Sequence, residues 1–144
     1  MSLAVIGNGA SYEFRWRTWA LLRDVVVAHL DEAMLMAFCA LGDAMVAAPQ
    51  RVVAVDLAAD VARIRAFLAG RPFEDLVLGP RTSQMLHFAP KVATRRPMTR
   101  LEVENIRPIA GSADLAEYFA TMLDSLDRVC AHPTADGTLE VVDG

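Results

Sequence analysis

An α+β domain is what the chain predicts, on three observations. Two runs with strand periodicity flank an Asn-Gly pair near the N-terminus, a long apolar stretch rich in Ala, Leu and Met covers residues 18–48, and residues 115–130 repeat apolar positions at helical steps. The expected architecture is an N-terminal β-hairpin and short strands packed with a long apolar helix and a C-terminal amphipathic helix. A mostly α domain carrying one hairpin is the main alternative. At 144 residues the chain is expected to form one globular domain over 1–144.

The hairpin comes first. Leu3-Ala4-Val5-Ile6 precedes Gly7-Asn8-Gly9, and Asn-Gly is the preferred pair where a two-residue turn needs positive φ. Beyond it Tyr12, Phe14 and Trp16 alternate with Glu13, Arg15 and Arg17, the period of a half-buried strand. Gly7-Asn8-Gly9 after an apolar strand also resembles the opening of a dinucleotide-binding loop. That loop needs a third glycine where Tyr12 stands, and a helix where the residues alternate. The hairpin is the better reading.

From Thr18 to Ala48 only isolated polar pairs interrupt the apolar run, and Ala33 to Leu41 has no polar side chain apart from Cys39. A helix apolar all round must be covered all round. Two helices breaking near His29–Glu32, the second capped by Asp31, would satisfy the same residues. Residues 25–46 carry more apolar surface than one small domain is expected to hide. A homodimer is therefore expected, with Val26, Leu30, Met34, Phe38, Leu41 and Met45 at the interface. Met34, Met36 and Met45 read as core filler before they read as a plastic binding surface.

Pro49 ends that element, and Arg51–Val55 reads as a short strand of β-branched residues. Asp56 then caps a helix over Leu57–Ala69, closed by Gly70, with Val61, Ile64, Phe67 and Leu68 facing inward. Phe73–Leu78 is a short strand or a helical turn, stopped by Gly79-Pro80, and residues 81–98 are irregular. Leu101, Val103 and Ile106 favour a strand. The last helix is the clearest element: Leu115, Tyr118, Phe119, Met122, Leu123, Leu126, Val129 and Cys130 recur at i, i+3, i+4 steps behind a Ser112 cap. Asp136-Gly137 turns the chain into a final strand over 138–142.

Composition excludes several classes. With 54% apolar residues the chain is not intrinsically disordered, and a pI near 5.3 makes nucleic acid an unlikely partner. No run of 18 apolar residues exists to span a membrane. Two cysteines are too few for a disulfide scaffold, and the N-terminus lacks a signal peptide's basic start and apolar run, so a cytoplasmic setting is expected. Thirteen of the fourteen cations are arginine, a bias typical of GC-rich bacterial coding sequence.

The charge map is the strongest functional hint. Arg81, Lys91, Arg95, Arg96 and Arg100 fall in one window without an acid, which sets +5 against −9 over the rest of a chain whose formal charge is −4. Such a patch suits an anionic ligand or an acidic protein partner. His87 lies inside it and is the best general acid–base candidate, since histidine titrates near neutrality. No metal or other cofactor is expected: His29, Glu32 and Cys39 share the apolar segment, but no second paired ligand motif joins them. Asp124-Ser125-Leu126 is similar to the attachment triplet of acyl carrier proteins in those three residues only, and here it lies inside an amphipathic helix.

The leading expectation is a non-catalytic binding or accessory protein acting as a homodimer, holding an anionic ligand at the basic segment. The alternative is a small enzyme acting on an anionic metabolite, gripped by Arg95, Arg96 and Arg100, with His87 moving a proton. A structural subunit of a larger assembly is the third.

Overall fold

The structure, a computed structural model, describes residues 2–42, 50–78, 96–97 and 114–143. Strands β1 (Ser2–Ile6) and β2 (Ser11–Arg15) form the expected antiparallel hairpin, Ser2 opposite Arg15 and Ile6 opposite Ser11. Gly7 N–H donates to the Ala10 carbonyl at 2.8 Å, which leaves Asn8-Gly9 to make the turn, with Gly9 at φ 76°. Asn8 N–H donates to the His132 carbonyl at 2.8 Å and ties the hairpin tip to the other end of the chain.

The strand period runs past the strand itself. Phe14 and Trp16 are both buried, yet Trp16 already opens helix α1 (Trp16–Val27). The apolar stretch then takes the two-helix form. It breaks over residues 28–31, where Asp31 accepts a hydrogen bond from Ala33 N–H at 3.0 Å and caps a 3₁₀ turn, Glu32–Leu35. Helix α2 (Met36–Ala40) follows directly.

Strand β3 (Gln50–Val53) leads without a loop into helix α3 (Ala54–Leu68). The helix starts ahead of Asp56, which is therefore not its cap. Ala54 N–H instead donates to the Gly137 carbonyl at 3.0 Å, so a tertiary backbone bond satisfies one of the free N–H groups of the first turn. Asp56 stands within that turn, where its charge favours the helix dipole. Gly70, at φ 73°, turns the chain away after α3.

The 73–78 segment is both things expected of it: a 3₁₀ turn, Phe73–Asp75, then strand β4 (Val77–Leu78), which pairs antiparallel with β5 (Arg96–Pro97). The strand expected over 101–106 and the Ser112 cap lie outside the described residues. The last helix is interrupted at Phe119 into α4 (Leu115–Tyr118) and α5 (Ala120–Cys130). Its cap is Asp114, which accepts from Glu117 N–H at 2.9 Å.

Strand β6 (Thr138–Asp143) completes a four-stranded antiparallel sheet ordered β2-β1-β6-β3. Leu3, Val5, Phe14, Val52, Leu139 and Val141 share its buried face. Helices α3 and α5 pack on each other, and α5 also lies against β1 and β2. The fold is thus α+β, and no described helix is long and apolar enough to cross a membrane.

Burial corrects the expected interface. Val26, Phe38 and Leu41 are fully enclosed by their own chain, as are Val25 and Leu35, so none of them faces a second subunit. The break at 28–31 lets the two halves find separate cover: α2 packs on α3 and β3, α1 on β2 and β4, and Trp19 against Phe38 joins them. Leu30 is half-buried, Met34 is exposed, and Met45 lies outside the described residues.

Gly7 and Gly9 separate two glycine roles. A Cβ on Gly7 would meet the His132 carbonyl oxygen at 2.1 Å, whereas one on Gly9 meets nothing within 4 Å. Gly7→Ala is expected to destabilise by about 3 kcal/mol through overpacking and loss of the Asn8–His132 bond. Gly9→Ala should cost about 1 kcal/mol, for its left-handed backbone alone. Urea unfolding of both variants checks the order.

Candidate functional site

The cleft that stands out among the described residues lies beyond the outer edge of β3. The 3₁₀ turn and α2 wall one side, α3 the other, and it encloses about 450 Å³. Ala33, Ala37, Ala40 and Ala59 keep the walls low. Met34 is 52% exposed, Met36 70%, and Val53 47%, and all three line it. Val55, two positions beyond Val53, is 76% exposed. Met34 and Met36 are therefore not core filler; Leu35 between them takes the buried position.

The charged lining is balanced: Arg51 and Arg63 against Asp56 and Asp60. Asp60 is the structural anchor of the group. Its Oδ2 accepts from Phe38 N–H at 2.9 Å, and the Ala37 N–H also bonds its carboxylate. These are first-turn donors of α2, whose own preceding residue, Leu35, has no side chain to cap them. Asp60 thus caps one helix from the middle of another. Arg63 completes the clamp, donating at 3.2 Å to both Asp60 Oδ1 and the Met34 carbonyl.

Burial raises the Asp60 carboxyl above the ordinary aspartate range, against the lowering by the Phe38 N–H, Arg63 and the Ala37 N–H. A buried carboxylate with a perturbed pKa in a cleft is a usual sign of a reactive group. Here its oxygens are occupied by two backbone N–H groups and a guanidinium, which is the pattern of a capping residue.

The thiols and the remaining candidates have plain surroundings. Burial pushes the Cys130 thiol up to about 11, with the Asp127 charge adding to it, and burial raises Cys39 also. Neither is primed as a nucleophile. His29 packs on Phe67 with ring centres 5.4 Å apart and planes tilted by 36°, and Glu32 pairs with Arg23 at 2.5 Å. Among the described residues no three His, Cys, Asp or Glu side chains converge as metal ligands. Ser125 is buried and accepts from Arg128, so it offers no surface hydroxyl for attachment.

Of the basic segment, Arg81, Lys91, Arg95 and Arg100 lie outside the described residues, as does His87. Arg96 falls on β5, opposite Leu78. The residues that sequence reasoning missed are Arg51, Val53, Asp56, Asp60 and Arg63. The i, i+3 spacing of Asp60 and Arg63 was visible, but such pairs are common on solvated helix faces and the signal is weak.

Asp60→Ala leaves buried N–H groups of α2 without an acceptor and is expected to cost about 1–3 kcal/mol. Asp60→Asn keeps an acceptor oxygen and should cost less. The native state holds the Asp60 proton more tightly than the unfolded chain does. Its contribution is therefore fully present below the ordinary aspartate pKa and is lost as pH rises through the raised native value. Wild type should gain on Asp60→Asn as the pH falls, which paired unfolding curves from pH 3 to pH 7 would read.

No family model, curated protein or solved structure matches the chain, so function is read from the cleft itself.

Proposed function

We propose that the protein is a non-catalytic binding or accessory protein that works as a homodimer, joined at the β3-edge cleft. The observation that carries this reading is the grouping of Met34, Met36 and Val53, exposed large apolar side chains, around one cleft. Single exposed apolar residues are ordinary, whereas a rimmed group of them marks a contact surface.

Two features favour a second copy over an unrelated partner. Among the described residues the cleft borders an edge strand, and two such edges related by a two-fold axis can meet antiparallel. An interface between identical copies must also complement itself. Arg51 and Asp56 are both exposed on this rim and opposite in sign, so the two-fold operation can bring each against the other. A strongly acidic or basic partner would instead favour a rim of one sign.

The cationic window at Arg81, Lys91, Arg95, Arg96 and Arg100 supplies the second half of the proposal: an anionic ligand or an acidic partner held by the dimer. A cytoplasmic, reducing setting suits its two free thiols. No observation among the described residues favours the enzymatic alternative at His87.

Sedimentation equilibrium at micromolar concentration tests the dimer, and a monomer there would overturn the reading. Arg51→Glu and Asp56→Arg are each expected to weaken association by roughly tenfold, and the double exchange to recover most of it. Met36→Glu should weaken it by tenfold or more while the exposed position leaves unfolding nearly unchanged.

A further inference from the structure

Leu35, the last residue of the 3₁₀ turn, meets α2 at φ −129°, ψ 32°, outside helical geometry, and its side chain is fully buried. With Leu35 turned inward, Met34 and Met36 on either side of it both emerge on the cleft. Met122, by contrast, is 3% exposed in the core. The base beneath the pair is held by Arg63 on the Met34 carbonyl and by Asp60 on Phe38 N–H. The pair is thus accessible in the free protomer and mounted on a fixed support.

We propose that Met34 and Met36 are an oxidation switch for association, converted to sulfoxides by peroxide. This rests on the dimer reading above. Each thioether sulfur attacks one peroxide oxygen with a lone pair. An S–O bond forms, the O–O bond breaks, and the displaced hydroxide takes up the remaining proton and leaves as water. Sulfur loses two electrons and the peroxide gains them. The product is a polar, chiral side chain that sulfoxide reductases return to methionine.

The cleft is poorly equipped to bury that product. Ala33, Ala37, Ala40 and Val53 around the pair have no side-chain donor. Arg63 places its Nη1 on Asp60 and the Met34 carbonyl, and Arg51 places its Nη1 on the Thr138 hydroxyl and is set against Asp56 of the second copy in the proposed dimer. A sulfoxide oxygen enclosed there by a second copy would give up its water among alanine, valine and methionine side chains or draw an arginine from its present partners, and either opposes association. Oxidation acts on the dissociated protomer and traps it.

The test uses the full chain, graded hydrogen peroxide, peptide mass mapping, sedimentation and circular dichroism. Met34 and Met36 should each gain one oxygen before Met122 does. The dimer dissociation constant should rise roughly tenfold or more in step with them, with the helical signal unchanged. Met34→Leu/Met36→Leu, measured against its own untreated state, should show no response. A dimer that persists with both residues oxidised overturns the proposal and leaves the dimer reading standing. So does a double-leucine variant that responds equally, or a helical signal lost in parallel. A chain that is monomeric before treatment overturns the dimer reading and the switch with it.

Discussion

The backbone of Phe38 is where three elements are joined, and the candidate site depends on that junction. Its N–H is taken by Asp60 of α3 at 2.9 Å, and its carbonyl accepts Trp19 Nε1 of α1 at 3.0 Å. Its ring packs on the Trp19 ring with centres 6.3 Å apart, and a Cβ on Gly42 would lie 2.1 Å from that indole. Helix α2 has five residues, too few to persist by itself in water, so partners from other helices supply what its length cannot. Both bonds are shielded from water, where an unmet donor costs far more than at the surface. The Arg65 bridge to Asp124 and Asp127 across α3 and α5 is different. It is open to solvent and contributes little by comparison.

The sheet shows the same reliance on distant residues. Strand β6, last in the chain, lies between β1 and β3, so the two halves of the sheet meet only when the C-terminus is in place. Backbone bonds from Asn8 to His132 and from Ala54 to Gly137 fasten the loop before it to the hairpin and to α3. Thr134 and Thr138 donate to Asp136 in the turn that opens β6, and these bonds hold its carboxyl down to about 2. Among the described residues the order also leaves β3 at an edge, and the cleft is lined from that strand, the 3₁₀ turn, α2 and α3.

The surface there combines two kinds of side chain. Asp60 and Arg63 are spent on holding the segment together, whereas Met34, Met36 and Val53 contribute nothing to the core that their exposure would not forfeit. Methionine at such a rim adapts to a partner's shape and also brings a sulfur open to oxidation. In the proposed dimer, binding and its control would therefore fall on the same side chains.

Local chemistry was enough to place several elements. Asn8-Gly9 between alternating runs specified the hairpin, Asp31 marked the break in the apolar stretch, and the 115–130 repeat marked the last helix, because turn geometry, capping and amphipathic period act between near neighbours. Other features were beyond it. Asp56 looked like the cap of α3, and Val26, Phe38 and Leu41 looked like an interface, since a residue's own neighbours do not reveal what covers it. Which apolar residues stay outside is decided by the break at 28–31 and by the carboxylate of Asp60, twenty-two positions beyond the Phe38 N–H it accepts. Periodicity is a property of short segments; burial and tertiary capping belong to pairs of segments, and only the packed chain brings those pairs together.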